Sequence, residues 1–547
     1  MARTADAGAT EPRPALVVNG GGLVGCLAAV YMARLGFDVR VYEKRVDIRS
    51  LTAESGRSIN LILTSRGLHA LREVGLEDAA KALCVPVQGR MMHGADGTAA
   101  FQPYGISRFE VNYSVSRTQL NGLLISAAEK EGARFFFEHD LSDMAITPSG
   151  KVSLSYRRVS WTATSLAVVG SASTEVDVVL GTDGVGSATR RLMLGIYRNL
   201  GIPAYDCIDR LGISYREVTF PADALLGQYS MRPDALHIWP RGAHFLMALA
   251  DKTPTFTGTL YLPDYTAEIR GLLPVTGAGA VPSFDSLGKS REKIEAYVSQ
   301  TFPDVPSIVP NVVDQLLDEQ RPHSFLATLR TTHWVLDGKI ALLGDAAHGV
   351  VPFFGQGMNL GFESVVVLVE RIRRARTLQP SVRLLEALKP AFAAYQADHH
   401  PGATAIANMA IENFSEMSFK VGQPAWLARK KVENELESAL PSLIRSRYYM
   451  VTKTLIPYDV VYRIGVFVDA CVDDVVALLA SGGSNPPLSV ATVLEDRVHS
   501  ALKRKMLAIV EERVTSYLRR LDVELDRPLK PYYGRPRDSW HMSAGKL

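Results

Sequence analysis

Hydrophobic positions fall into three regimes along the chain. In the first, short and mainly apolar runs end in glycine-rich turns and lead into helical patterns: residues 15–18 before GGGLVG, 176–180 before GTDGVGS and 339–343 before GDAAHG. A mainly apolar run of that length, closed by turn residues, predicts a strand buried on both faces, as in a parallel sheet covered by helices. Residues 26–36 predict the first covering helix and DVRVY, residues 38–42, the second strand. In the second regime, residues 90–105 and 210–265, short apolar or alternating runs are separated by turns, which predicts an antiparallel sheet. From residue 378 onward the pattern is mainly helical, with Pro401, Pro424, Pro441 and Pro457 expected to mark breaks.

The first glycine turn fills a dinucleotide fingerprint: Gly20, Gly22 and Gly25 stand at the GxGxxG positions, between a strand and a helix as that motif requires. Glycine there tightens the turn, lets a pyrophosphate approach the backbone and lets helix pack on strand, while the helix N-terminus favours phosphate charge. Glu43, closing the second strand, is placed to accept from a ribose hydroxyl, and an acid at that point disfavours a 2′-phosphate. The residues alone leave NAD and FAD both open.

The later strand ends repeat the arrangement, with Asp183 and Asp345 where a carboxylate can hold a ribose or ribityl hydroxyl. An ordinary strand and turn with a helical cap is the plainer reading of the first. After Asp345, GQGMNLGFESVVVLVERI predicts a helix whose buried side is Val365, Val366, Leu368 and Val369 and whose N-terminal amides face developing negative charge.

Composition narrows the field. The 547 residues are 47% hydrophobic, and 60 Lys plus Arg against 57 Asp plus Glu leave a charge of +3, too little to argue a nucleic-acid surface. Cys26, Cys84, Cys207 and Cys471 are far apart and read as reduced core residues of a cytoplasmic protein. The N-terminus lacks the apolar stretch of a signal peptide, and no run is long enough for a membrane anchor. His399 and His400 are adjacent, so on a helix they diverge, and no metal is expected.

Taken together, GGGLVG, GTDGVGS and GDAAHGVVPFFGQGMNLGFES resemble the FAD-dependent aromatic hydroxylases of the para-hydroxybenzoate hydroxylase type. Within them, ESGRSINLILTSRGLHAL (54–71), SVSRTQLNGLLISAAE (114–129), LHIWPRG (236–242) and VPFFGQGMN (351–359) are most similar to the kynurenine 3-monooxygenases, a likeness extending over residues 15–465. The resemblance implies an α/β fold: a Rossmann-like FAD-binding domain of the GR2 type, an antiparallel-sheet substrate domain and a C-terminal helical region. It implies tightly held FAD, with NADPH and O2 as co-substrates and no second Rossmann fold. Oxygen would pass from a flavin C4a-hydroperoxide to an electron-rich ring, chemistry that belongs to the cofactor.

The same resemblance assigns residues. Besides the three fingerprint glycines, Glu43, Asp183 and Asp345, it gives Arg57, Arg117, Gly355, Gly357, Met358 and Asn359 to FAD. Arg90 and Tyr104, fourteen residues apart, would hold the substrate carboxylate, a guanidinium giving paired donors and a phenol a third. Asn413 and Tyr448 fall on further substrate positions, and asparagine is a poor mid-helix residue unless its side chain has a partner. Phe353 and Phe354 would wall the ring, or simply pack the core. His348 accompanies the flavin turn and is not read as a base, because an aniline-type ring is already electron-rich; no residue is assigned acid–base work.

The implied organisation is FAD-binding segments at 12–90, 114–200 and 333–377, substrate-domain segments at 91–113 and 201–332, a helical domain at 378–479 and an extension at 480–547. Membrane-bound relatives end in a hydrophobic anchor; this chain has instead an amphipathic run with Val498, Leu502, Met506, Ile509, Val510, Tyr517 and Leu521 at helical spacing. That face could dock on its own chain, on a second subunit or on lipid, and the protein is expected to be a monomer or homodimer. The expected activity is hydroxylation of L-kynurenine or a close analogue, a small aromatic amino acid. Alternatives are hydroxylation of another aromatic carboxylate, a flavin reductase that inserts no oxygen, or a non-catalytic FAD-bound partner.

Overall fold

A computed structural model describes residues 12–51, 60–105, 110–161, 166–242, 244–264, 282–319, 321, 323–418, 420, 423–481, 489–495 and 500–524. The three apolar runs before glycine turns become neighbours in one six-stranded sheet, ordered Val335–Leu336, Ile340–Leu342, Val178–Gly181, Ala15–Asn19, Asp38–Tyr42, Arg134–Phe136. All adjacent pairs are parallel except the first. Val17, central in the sheet, lies beside Val179 on one side and Arg40 on the other and is fully buried. The helix Leu23–Arg34 covers this sheet and is itself packed by Arg117–Lys130 and Gly357–Leu378. Each fully buried aliphatic side chain in that layer contributes roughly 1.5–3 kcal/mol.

The second sheet has seven strands, ordered Ser324–Thr331, Asp206–Phe220, Phe256–Pro263, Phe245–Ala250, Ala235–Pro240, Gly89–His93, Ala99–Pro103. It is antiparallel as expected save for one junction: Ala235–Pro240 runs parallel to Gly89–His93. Those strands come from distant parts of the chain, so no hairpin dictates their direction. Behind the sheet pack Phe284–Leu287, Arg291–Thr301, Val305–Ile308 and Val312–Leu317, burying Phe220, Trp239, Phe256, Val298 and Phe302. These helices were not anticipated, although Ser283 and Ser290 cap two of them. A three-stranded ribbon, Leu166–Val176, Val152–Trp161, His139–Ile146, was also not anticipated.

Pro424 opens the helix Pro424–Ala439, Pro441 follows its end, and Pro457 precedes Tyr458–Ala480, as expected of helix boundaries. Pro401 does not mark a break. The helix Leu384–Ser418 runs through both Pro390 and Pro401. It is packed between Gly357–Leu378 and Tyr458–Ala480 and buries Ala403, Ile406, Met409 and Ala410, which outweighs the roughly 3 kcal/mol that an interior proline costs. At the end of the chain, Ser500–Leu507 and Arg513–Glu524, joined by a π-helical turn at Ala508–Glu512, dock on Tyr458–Ala480. Met506, Val510, Val514, Leu518 and Leu521 are buried there, so this apolar face is consumed within its own chain. No described helix is long and apolar enough to cross a membrane.

Candidate active site

Gly20 and Gly25 lock the first turn. Gly20 has φ +110°, and a Cβ there would lie 2.6 Å from the Thr182 carbonyl oxygen; a Cβ on Gly25 would lie 1.9 Å from the carbonyl oxygen of Gly20. Gly22 differs, because a Cβ would meet no protein atom within 4 Å and would project into open space. That space is a cavity of about 260 Å³ between the two sheets, lined among others by Gly22, Arg117, Asp345, Gly355, Gly357 and Met358. Six predicted cofactor residues, drawn from four separate stretches of sequence, thus face one cavity.

The cavity's chemistry suits a flavin nucleotide. The helix Leu23–Arg34 begins directly after Gly22, so its free amides face the cavity mouth. Arg117 is exposed on the cavity, and among the described residues its guanidinium has no hydrogen-bond or ion-pair partner, leaving its donors for an anion. Asp345 also opens to it; its crowded surroundings raise its carboxyl above the ordinary value, with Arg117 opposing the rise. The helix Gly357–Leu378 starts at the same wall.

Of the other predicted cofactor residues, Glu43, Asp183 and Asn359 are hydrogen-bonded within the protein frame. Glu43 accepts from the backbone amides of Gly21 at 2.7 Å and Arg45 at 2.9 Å, bracing the turn. Asp183 accepts from the Thr189 amide and hydroxyl, both at 2.9 Å, from Ser187 at 2.5 Å and from Asn19 at 3.3 Å. It braces the first turn of the helix Ala188–Asn199, whose N-cap is Ser187; its neighbours Thr182 and Gly184 line the cavity. Asn359 is fully buried, donating to the carbonyls of Ile62 and Gly355 and accepting from the Thr64 amide. Arg57 lies outside the described residues.

On the substrate side the structure joins Arg90, Tyr104, Tyr448 and Phe354. The rings of Tyr104 and Tyr448 stack at 4.9 Å, Phe354 stacks on Tyr448 at 5.9 Å, and the Arg90 guanidinium lies 4.9 Å from the Tyr448 ring centre. Burial opposes charge on Arg90, but Tyr104, Tyr448 and Glu416 outweigh it, and its pKa stands above the ordinary value. The Arg90 Nε is buried with no hydrogen-bond partner. Burial and the neighbouring Tyr104 push the Tyr448 phenol well up, and its oxygen accepts from Asn112 at 2.9 Å. This cluster adjoins the cavity through Leu249, which packs with Tyr104 and lines the cavity wall.

Asn413 and Phe353 form a second group. Asn413 donates to the Phe353 carbonyl at 2.7 Å, and Phe353 packs on Phe414, Tyr261 and Phe245. The helical asparagine therefore has its partner in the loop that carries the phenylalanines. His348 is buried with Nε2 2.7 Å from the Ser364 hydroxyl, which also lies 2.9 Å from His399 Nε2, and neither histidine lines the cavity. No group of side chains among the described residues could hold a metal ion. Sequence reasoning missed Asn60, Met247, Thr257, Thr259 and Tyr261 in the cavity wall. The last three alternate along Phe256–Pro263, so period-two spacing was the available signal.

Comparison with known proteins agrees with this geometry. An FAD binding domain family matches residues 14–193 and 317–405. The kynurenine 3-monooxygenase of Myxococcus xanthus is 37% identical over 465 residues, 84% of this chain and 90% of its own. That of Flavobacterium psychrophilum is 33% identical, over 85% and 94% respectively. Among solved structures, Klebsiella pneumoniae HpxO complexed with FAD and uric acid superposes with a TM-score of 0.54 at 18% identity, covering 76% of this chain and 91% of that one. P. aeruginosa PqsL in complex with 2-aminobenzoylacetate gives 0.53 at 18% identity, covering 74% and 99%. These two likenesses concern the fold.

Proposed function

The chain belongs to the kynurenine 3-monooxygenases, a family of FAD-dependent aromatic hydroxylases, and from that premise we propose that it uses NADPH and O2 to hydroxylate the ring of L-kynurenine, giving 3-hydroxykynurenine, or of a close kynurenine analogue. The observation that carries the substrate reading is Arg90: a guanidinium with a buried, unpartnered Nε, beside two phenols whose cluster reaches the cavity through Leu249. A site built that way is complete only when an anionic group enters it, since a buried donor left unpaired costs about 1–3 kcal/mol.

Bound FAD supplies the redox chemistry, taking electrons from NADPH and activating O2. The chain's own residues hold and orient. The amides at the start of Leu23–Arg34 and the Arg117 guanidinium would take the pyrophosphate charge, and Asp345 would accept from a ribityl hydroxyl. The amides opening Gly357–Leu378 lie at the cavity wall and would favour the negative charge that a bound flavin gains on reduction. Arg90 and Tyr104 fix the substrate carboxylate, while Phe354 and Phe353 wall the ring and exclude water. No side chain is needed as acid or base, because the ring amino group already makes the carbon ortho to it electron-rich.

Hydroxylation of another aromatic carboxylate is the second reading, because Arg90 and Tyr104 by themselves recognise only a carboxylate. A screen of L-kynurenine, ring-methylated kynurenines, anthranilate and para-hydroxybenzoate, scoring hydroxylated product per NADPH oxidised, separates the two. L-Kynurenine or a methylated kynurenine is expected to accelerate NADPH oxidation and to give coupled product. A response confined to the simple benzoates would overturn the kynurenine assignment.

A further inference from the structure

The loop carrying the two phenylalanines is pinned from both sides by buried side-chain amides. Asn359 ties it to the nucleotide domain through the carbonyl of Ile62 and the amide of Thr64. Gln356, 1% exposed, ties it the other way: its Nε2 donates to the Phe354 carbonyl at 3.1 Å and its Oε1 accepts from the Tyr458 hydroxyl at 2.8 Å. Because the Phe354 carbonyl can only accept, it fixes Nε2 as the end of the Gln356 amide that faces it, and so leaves Oε1 to accept from the Tyr458 hydroxyl. Gln356 also caps the helix Gly357–Leu378, and its carbonyl accepts from Leu360 at 2.7 Å.

Tyr458 is itself held in place. Its ring lies under the guanidinium of Arg66, 3.8 Å from the ring centre, and Arg66 is bound by Glu363 and by the carbonyl of Ile456. Tyr458 is 1% exposed and is absent from the cavity lining. Its pKa is raised by burial, so the hydroxyl keeps its proton for Gln356. Resting on the hydroxylase reading above, we propose that Tyr458 is a positioning residue of the active site. It acts through Gln356 to set the Phe354 wall and the helix start at the cavity wall.

Tyr458→Phe isolates the hydroxyl, since the ring that stacks on Arg66 remains. In the full-length FAD-loaded enzyme, this variant is expected to keep its FAD content and nearly its melting temperature. Its visible circular dichroism, which reports the asymmetry around bound flavin, is expected to change. Product formed per NADPH oxidised is expected to fall roughly two- to tenfold, the span of one net hydrogen bond. Gln356→Leu is expected to give the same spectral change and a similar fall, and the double variant no more than Gln356→Leu alone, as two members of one chain of contacts require. A wild-type flavin spectrum in Tyr458→Phe, or losses that multiply in the double variant, would overturn the proposal. The spectrum needs no substrate, so an enzyme inactive on kynurenine would sink the functional reading while the spectrum still decided on Tyr458.

Discussion

The guanidinium of Arg90 lies 4.9 Å from the ring centre of Tyr448, and among the described residues no carboxylate comes within ion-pair distance of it. Glu416 acts on it only from beyond that distance, so the guanidinium keeps room for an anion from outside. Arg90→Met keeps the bulk and removes every donor, leaving the substrate carboxylate and Tyr104 without a partner. The expected loss in kcat/KM is about 2–5 kcal/mol, the cost of breaking a desolvated charge pair. FAD content and Tm should barely change. Toward the decarboxylated amine of kynurenine the variant should match wild type; an equal penalty on both substrates, with a drop in Tm, would make Arg90 a structural arginine.

Gly22→Val tests the nucleotide cradle. The backbone at Gly22 has φ −75°, which valine adopts freely, and a Cβ there meets no protein atom within 4 Å. Apoprotein stability should therefore hold while the side chain fills pyrophosphate space, and FAD should be lost on purification. A variant that stays yellow with one FAD per chain would show that the cavity is occupied in another way.

The first turn was legible because Gly20 and Gly25 leave no room for a side chain, and that demand is written in the residue types themselves even though the atom Gly20 would strike, the Thr182 carbonyl oxygen, comes from far along the chain. Asp183 and Asp345 show where legibility ends. Both follow a buried strand and a glycine, yet one carboxylate is consumed by Ser187 and Thr189 while the other opens to the cavity. Spacing along the chain does not say which way a carboxylate turns when backbone amides compete with a ligand for it. Pro401 misled because a local rule was overridden by packing on two sides. In the extension, Met506, Val510 and Leu521 are buried, and Leu502, Ile509 and Tyr517 pack against the core at the edge of the same face, Tyr517 stacked on Phe467 at 4.1 Å; Val514 and Leu518, buried beside them, were not anticipated. Val498 lies outside the described residues.

Acid should destabilise the fold through two buried histidines. Burial, with Arg66 and His400 adding to it, pushes His399 down to about 3, and burial with His399 and His400 nearby holds His348 well below its ordinary value. A histidine titrating near 6.5 when unfolded binds more protons in the unfolded state throughout that window. The stability is whole above pH 6.5 and is lost progressively as the pH falls toward 3. His399→Gln, which keeps a donor toward Ser364, should flatten the fall of Tm between pH 7 and pH 4, to be read by thermal melts across that range. An unchanged slope would show that these imidazoles do not control acid stability.

The central claim is that oxygen from O2 ends on the ring of a kynurenine held by this chain. Mass spectrometry of the product formed from L-kynurenine or its ring-methylated analogue, NADPH and isotopically labelled O2 tests it most directly. The expected product is a hydroxykynurenine carrying one labelled oxygen atom. NADPH oxidised with no labelled oxygen in any organic product would contradict the account, and leave a flavin reductase in its place.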